Sequence, residues 1–140
     1  MIEQRELSIR TNGQGLYLIT FDVSAVVEST RIKTGLCVLF LRHTSAGLLI
    51  QEAADPSAKR DLETWFRRLV PPDDPLYTHN SEGPDDMPSH IKAALIPTSL
   101  SIPITAGKLA LGRWQGIYLW EHRDAPHTRT LVVHVFGERT

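Results

Sequence analysis

Between Tyr77 and Leu95 the chain reads YTHNSEGPDDMPSHIKAAL, which holds His79, His90 and the adjacent carboxylates Asp85 and Asp86. Two of only six histidines fall in this one segment. A neutral imidazole ligates zinc and other borderline transition metals well, and carboxylates can complete an open coordination shell. The spacing matches neither a zinc finger nor an HExxH helix. It lets both rings converge on one ion if the loop through Gly83 and Pro84 folds back. The competing reading is turn chemistry, in which aspartates beside Gly-Pro and Met-Pro cap and bend the backbone.

His43 is a third candidate ligand. It follows the apolar run GLCVLFL and precedes Thr44, Ser45, Ala46 and Gly47. Small residues at a strand end free N–H groups and hydroxyls to meet a phosphate or similar anion, and Arg42 could add a charge-assisted contact. The segments QEAAD (51–55) and WQGIYLWEHR (114–123) offer further polar partners. Plainer roles suit other positions. His134 alternates within LVVHVF as a sheet residue with a hydrogen-bond partner, and His127 reads as loop. Taken by themselves, Glu121, His122 and Arg123 read as an exposed strand end of alternating charge. Trp65, Trp114 and Trp120 suit core or interface better than a cofactor cage. Cys37 has no partner for an intrachain disulfide; its apolar neighbours mark a buried thiol, and the missing pair suggests a reducing compartment.

These side chains need a scaffold. A chain of 140 residues suffices for one domain, 1–140, with a proper core. A net charge of -1, with 41% hydrophobic and 22% charged residues, is that of an ordinary soluble globular protein. Nothing in that balance indicates a nucleic-acid partner, so any anion recognition must be local. The N-terminus lacks a signal-peptide core and no run has membrane-spanning length, so a cytoplasmic location without a membrane partner is expected.

RELSIRT and GLYLITFDV, separated by NGQG, read as a β-hairpin. Ser24 is placed to cap a short helix carrying Val26 and Val27. GLCVLFLRH suits a strand buried on both faces. DPSAKRDLETWFRRLVPP is the clearest helix, capped by Asp55, with Pro56 in its first turn and Pro71-Pro72 as its stop. Ala58, Leu62, Trp65, Phe66 and Leu69 form its inward side; Lys59, Arg60, Glu63 and Arg67 face out. A shorter helix begins at Pro88. SLSIPIT, KLALGRW, GIYLWEHR and TLVVHVFGE then read as strands. The expected class is α+β: a mostly antiparallel, β-sandwich-like sheet packed with one long and one or two short helices.

Taken in order, LRHTSAGLLIQEAADP, the Tyr77–Leu95 segment, SLSIPI with GKLALGRWQGIYLWEHR, and VVHVFGE resemble the YjbQ family, whose members are often labelled secondary thiamine-phosphate synthases. The similarity runs from about Leu7 to Glu138, and DDMPxHIK and GxWQGIYLxEHR are long, specific signatures. The resemblance implies a homotrimer with a cleft that holds a metal and an anion. In that cleft His43, His79 and His90 would hold a divalent ion, zinc or magnesium. Asp85, Asp86 and Glu121 would be carboxylate partners or general acid–base groups, and Thr44, Ser45, Gln115 and Arg123 would meet a phosphorylated substrate. The implied reaction joins a pyrimidine methyl diphosphate to a thiazole phosphate and releases pyrophosphate, with the metal neutralising the leaving group. A non-catalytic protein that binds a metal or an anionic metabolite and regulates a partner would use the same residues. Two positions depart from the pattern. Ile50-Gln51-Glu52-Ala53 stands where many relatives read Ile-Asn-Glu-Asn, a carboxamide expected near the cleft. Gly112-Arg113-Trp114-Gln115 stands where many read Gly-Thr-Trp-Gln.

Overall fold

Alternating burial along the last strand, with Leu131, Val133 and Val135 inward, marks a sheet that keeps one face dry. A computed structural model describes residues 1–140. Its elements are β1 (Ile2–Thr11), β2 (Gly15–Leu18), α1 (Thr20–Thr30), β3 (Thr34–Leu41), β4 (Ala46–Glu52), α2 (Pro56–Leu69), α3 (Asp86–Leu95), β5 (Ser99–Thr105), β6 (Lys108–Leu109), β7 (Gln115–Glu121) and β8 (His127–Glu138). A five-stranded sheet runs β1-β8-β3-β5-β6 and a three-stranded sheet runs β2-β7-β4. Every pairing is antiparallel. The expected α+β class is the one the chain adopts.

The two sheets enclose the main core. Cys37, Leu39 and Leu41 of β3 and the inward residues of β8 face Leu48 of β4 and Ile117 and Leu119 of β7. Val23 and Val27 of α1, together with Ile19 just before it, close one edge. Outside the smaller sheet, Phe66 and Val70 pack on Tyr118 and Trp120, with Ile91 of α3 beside them. Helices α2 and α3 thus cover the outer face of the three-stranded sheet. The outer face of the five-stranded sheet has no cover. There Leu36 pairs Phe136, Val38 pairs His134 and Phe40 pairs Val132, and Phe40 is 50% exposed.

Several expectations change. GLCVLFL is not buried on both faces; in one chain only its inner residues are. NGQG does not make a hairpin. β1 pairs with β8 from Ile2↔Phe136 to Thr11↔His127, while β2 pairs with β7. Gly13 and Gly15, with φ of 123° and 150°, turn a corner between the sheets, because a ten-residue ladder outweighs a short local pairing. Ser24 lies inside α1. The Ile19, Val23, Val27 stripe decides where that helix runs, and no side chain caps it. α2 starts as expected, with Asp55 accepting from Ser57 N–H and Pro56 in the first turn. On α2 only Phe66 is fully buried; Trp65 is 55% exposed, Leu69 is also exposed, and Glu63 turns inward to accept from Leu16 N–H at 2.8 Å. α3 begins at Asp86, two residues before Pro88. His134 is the sheet residue expected, its Nδ1 2.8 Å from Gln4 Oε1, and His127 opens β8 rather than lying in a loop. Burial pushes the Cys37 thiol up to about 12. No helix is long and apolar enough to cross a membrane.

Candidate metal centre

α3 sets the geometry. Asp86 and His90 lie four residues apart, on one face of its first turns. His79 reaches them from the loop before α3. Ligand-capable atoms of His79, Asp86 and His90 all lie within 4.8 Å of one another. Nε2 of His79 is 2.7 Å from Asp86 Oδ2, Nε2 of His90 is 3.3 Å from Asp86 Oδ1, and the two rings meet edge to face with centroids 5.2 Å apart.

The proton on His90 is fixed by its other nitrogen. Nδ1 lies 3.0 Å from the Thr44 carbonyl oxygen, which can only accept, so Nδ1 carries the hydrogen. A neutral His90 ring therefore turns its Nε2 lone pair toward the Asp86 carboxylate. A proton or a metal ion satisfies that arrangement, and a backbone carbonyl behind the ring is the usual support of a metal-ligating histidine. Asp86 itself is 1% exposed. Its Oδ1 accepts from Arg123 Nη1 at 2.8 Å. Its Oδ2 touches His79 without hydrogen-bond alignment and has no other partner. A buried carboxylate oxygen without a donor is costly. The donor set and this orphaned oxygen fit a cation. His79 opens onto a cleft of about 410 Å³ lined also by Tyr77, Asn80, Met87 and Asp74.

Arg123 is not free to meet an anion. Its Nε donates to Asp85 Oδ2 at 2.9 Å, its Nη1 to Asp86, and its Nη2 to the Glu82 carbonyl at 3.0 Å. Asp85 Oδ2 also accepts from Asp124 N–H at 2.9 Å. Burial raises the Asp85 pKa, but the Asp124 N–H and the Arg123 guanidinium outweigh it and hold the carboxyl below its ordinary value. Arg123 is shifted up against its own desolvation by Asp85, Asp86 and Glu82. The Asp85–Arg123 pair fixes Asp86 in place instead of serving as base and anion holder.

His43 stands outside the cluster. The β3–β8 ladder ends at Leu41↔Leu131, and His43 Nε2 accepts the next free backbone donor, Thr130 N–H, at 2.8 Å. That places its proton on Nδ1, which Arg129 Nη1 approaches only to 3.4 Å. Burial and the Arg129 charge lower the His43 pKa. The side chains that cluster are thus two imidazoles and one carboxylate, not the three imidazoles expected.

Glu121 also lies away from the cleft. It is fully buried. It accepts from Thr11 Oγ1 at 2.6 Å, from Arg129 Nε at 2.7 Å, from Arg129 Nη2, and from the backbone N–H groups of His122 and Arg123 at 3.1 Å each. Desolvation would raise its pKa, but Arg129, Thr11 and the Arg123 N–H overcome it and lower the value. Both oxygens of Glu121 are thus filled by donors from the core and the adjoining backbone. Ser45 turns its hydroxyl inward to accept from Arg129 Nη2 at 2.8 Å. Thr44 keeps an exposed side chain and lines a shallow cleft with His43 and His90. Gln115 lies six residues from Glu121, at the far end of β7, roughly 20 Å away, and its Oε1 accepts from Gly112 N–H. Gln51 and Glu52 pair with Gly116 and Gln115, so the Gln51 departure lies at that far end and not near the cleft. Arg113 stacks on the Trp114 ring there, 4.7 Å from its centroid.

Two buried cations, Arg129 and Lys92, escaped the sequence reading, and His122, read there as exposed, is buried. Arg129 shares the inward register of Leu131, Val133 and Val135, and a lone arginine at an inward strand position was the available signal. Burial, with Lys92 close by, lowers the His122 pKa to about 3, and neither ring nitrogen has a partner.

Comparison with known proteins agrees with this architecture. The chain is 53% identical over 135 residues to UPF0047 protein sll1880 of Synechocystis sp., covering 96% of this chain and 92% of that one. It is 40% identical over 136 residues to UPF0047 protein YjbQ of Escherichia coli O157:H7, covering 96% and 98%. Among solved structures, the hypothetical protein APE1520 from Aeropyrum pernix K1 aligns with a TM-score of 0.88 at 27% identity, over 97% of this chain and 99% of that one. An uncharacterized conserved YjbQ/UPF0047 protein from Clostridium acetobutylicum aligns with a TM-score of 0.85 at 35% identity, over 94% and 99%. Residues 5–138 match the family described as UPF0047 protein YjbQ-like, and the chain belongs to that family.

Proposed function

We propose that this chain is a metal-dependent enzyme acting on a phosphorylated small molecule, with a divalent cation held by His79, Asp86 and His90. The observation that carries the reading is the buried Asp86 carboxylate, whose Oδ2 has no aligned hydrogen-bond donor, set with one nitrogen each of His79 and His90 within 4.8 Å. Two nitrogens and one carboxylate suit zinc or a similar ion better than magnesium, which favours an octahedron of oxygens. Bound there, the ion would supply charge neutralisation at a phosphate oxygen. Thr44 orients His90, Arg123 orients Asp86, and the exposed His79 leaves a side open to the cleft. The reaction to test first joins a pyrimidine methyl diphosphate to a thiazole phosphate with release of pyrophosphate. The working assembly is a homotrimer. The uncovered face of the five-stranded sheet, where Phe40 and Phe136 are exposed, supports self-association, and the family resemblance supplies the threefold count.

The test is metal content by mass spectrometry after zinc loading and desalting, beside product formation from the two precursors with and without the ion. Wild type is expected to hold about one zinc per chain. His79→Ala, His90→Ala and Asp86→Asn should each lose it, and His43→Ala should keep it. A zinc-free wild type refutes the metal centre. Zinc retention with no turnover at high protein concentration favours the non-catalytic metal-binding reading.

A further inference from the structure

We propose that a second cleft, built around Lys92 and Arg67, is a subsite for an oxyanion, the phosphate or carboxylate end of an acidic small molecule. Lys92 is 3% exposed. Its Nζ donates to Gln14 Oε1 at 2.9 Å and forms no ion pair with any carboxylate. An ammonium has further N–H donors, and burying a cation without a counterion is costly. The Phe66 ring, 5.6 Å from Nζ, offsets only part of that cost.

The surroundings leave this charge open to a ligand. Lys92 borders a cleft of about 220 Å³ with Gln14, Arg67, Val70, Pro88 and Asp124. Arg67, on the last turn of α2, is exposed and has no ion pair or side-chain hydrogen bond of its own. Of the three acids that border the cleft, Asp85 and Asp124 are turned to other donors, while Asp73 is exposed at its rim. Asp85 Oδ2 is held by Arg123 Nε and Asp124 N–H. Asp124 Oδ1 accepts from Gln14 Nε2 at 2.7 Å, which fixes the carboxamide with its oxygen toward Lys92. One buried and one exposed cation thus face a common space, the donor geometry that oxyanions take. Asp73 and Pro84 border both this cleft and the larger one beside His79. One molecule can therefore place its reacting part at His79 and its anionic end at Lys92. That assignment of the anion to substrate rests on the proposed metal centre; the subsite itself does not.

The experiment titrates EDTA-treated protein with inorganic phosphate and, separately, with acetate by calorimetry, at fixed ionic strength in chloride. Saturable binding of either anion is expected, weakened about tenfold in Arg67→Met and lost in Lys92→Met. Whichever anion binds more tightly identifies the headgroup. Arg67 is exposed and partnerless, so its variant carries the test if Lys92→Met does not fold. Absence of binding by both anions, or wild-type affinity in Arg67→Met, overturns the subsite. Phosphate binding that appears only after zinc is added also overturns it while leaving the metal centre standing. Phosphate binding by a protein that never takes up zinc removes the metal centre and keeps the subsite.

Discussion

Substituting Glu121 separates a structural carboxylate from a catalytic one. In Glu121→Ala, Arg129 keeps only the Ser45 hydroxyl and carbonyl as strong acceptors, the Arg123 N–H loses its partner, and Thr11 and the His122 N–H fall back on the longer bonds to the His127 and Ser45 carbonyls. Breaking a buried ion pair from one side costs about 3–5 kcal/mol. At about 2.1 cal/mol/K per residue, a chain of 140 residues unfolds with an entropy near 0.3 kcal/mol/K, so Tm should fall by about 10–17 °C. Glu121→Gln, which keeps the shape and one acceptor, should lose roughly half as much. Replacing both partners with apolar residues, Glu121→Leu with Arg129→Met, should recover most of the loss and expose the coupling in a double-mutant cycle.

The assay is calorimetric melting at one fixed protein concentration, since assembly shifts apparent stability. A drop below about 3 °C for Glu121→Ala would refute the structural role. So would a Glu121→Gln protein that melts like wild type yet loses activity. The pH dependence gives an independent check. The folded pKa of Glu121 lies below its ordinary value of 4.5, so its stabilisation is present above that value and is lost as pH falls through the lower folded one. The Tm gap between wild type and Glu121→Ala should therefore narrow below about pH 4.

Phe40→Asp places a charge at the centre of the bare sheet face. It should convert the proposed trimer into a monomer of unchanged far-UV circular dichroism in light scattering, because a central apolar anchor is worth about 2 kcal/mol or more; a monomeric wild type would defeat the idea at once. Gly35→Ala tests the β3–β8 register. A Cβ there would strike the Phe136 carbonyl oxygen and Cα of Gly137, backbone that cannot retreat. A loss of about 3 kcal/mol, near 10 °C in Tm, is expected, and a melting point within about 2 °C of wild type would show the register to be wrong.

What the sequence disclosed follows the range of the forces involved. α2 was legible because its start is local: Asp55 bonds the Ser57 N–H and Pro56 needs no N–H of its own. The partners of β1 and β2 were not legible, because Gly13 and Gly15 supply the same positive φ to a hairpin and to a corner between sheets. Only the distant β8 and β7 decide between them. At the site, placing the start of α3 at Pro88 hid the relation that matters. With the start at Asp86, Pro88 still sits in the first turn, where its missing N–H costs nothing, and Asp86 and His90 come onto one face. His43 was illegible for a different reason. A neutral imidazole at a strand end serves equally as a metal ligand or as an acceptor for an unpaired sheet N–H.

Three consecutive residues, Glu121, His122 and Arg123, show how the core reaches the cluster. β7 ends at Glu121, and Glu121 Oε2 then accepts the N–H groups of both His122 and Arg123. That double acceptance sets the chain direction leaving the strand, with the His122 ring against Phe66 and Trp120 and the Arg123 guanidinium on Asp85 and Asp86. Arg129 and Thr11 hold Glu121 from the core side. A line of hydrogen bonds therefore runs from the buried β1 and β8 ends, through one carboxylate and one guanidinium, to the Oδ1 of Asp86, leaving its Oδ2 toward His79. The motif that read as an exposed strand end is a support instead: Glu121 holds Arg123, and Arg123 holds the buried carboxylate of Asp86 between the imidazoles.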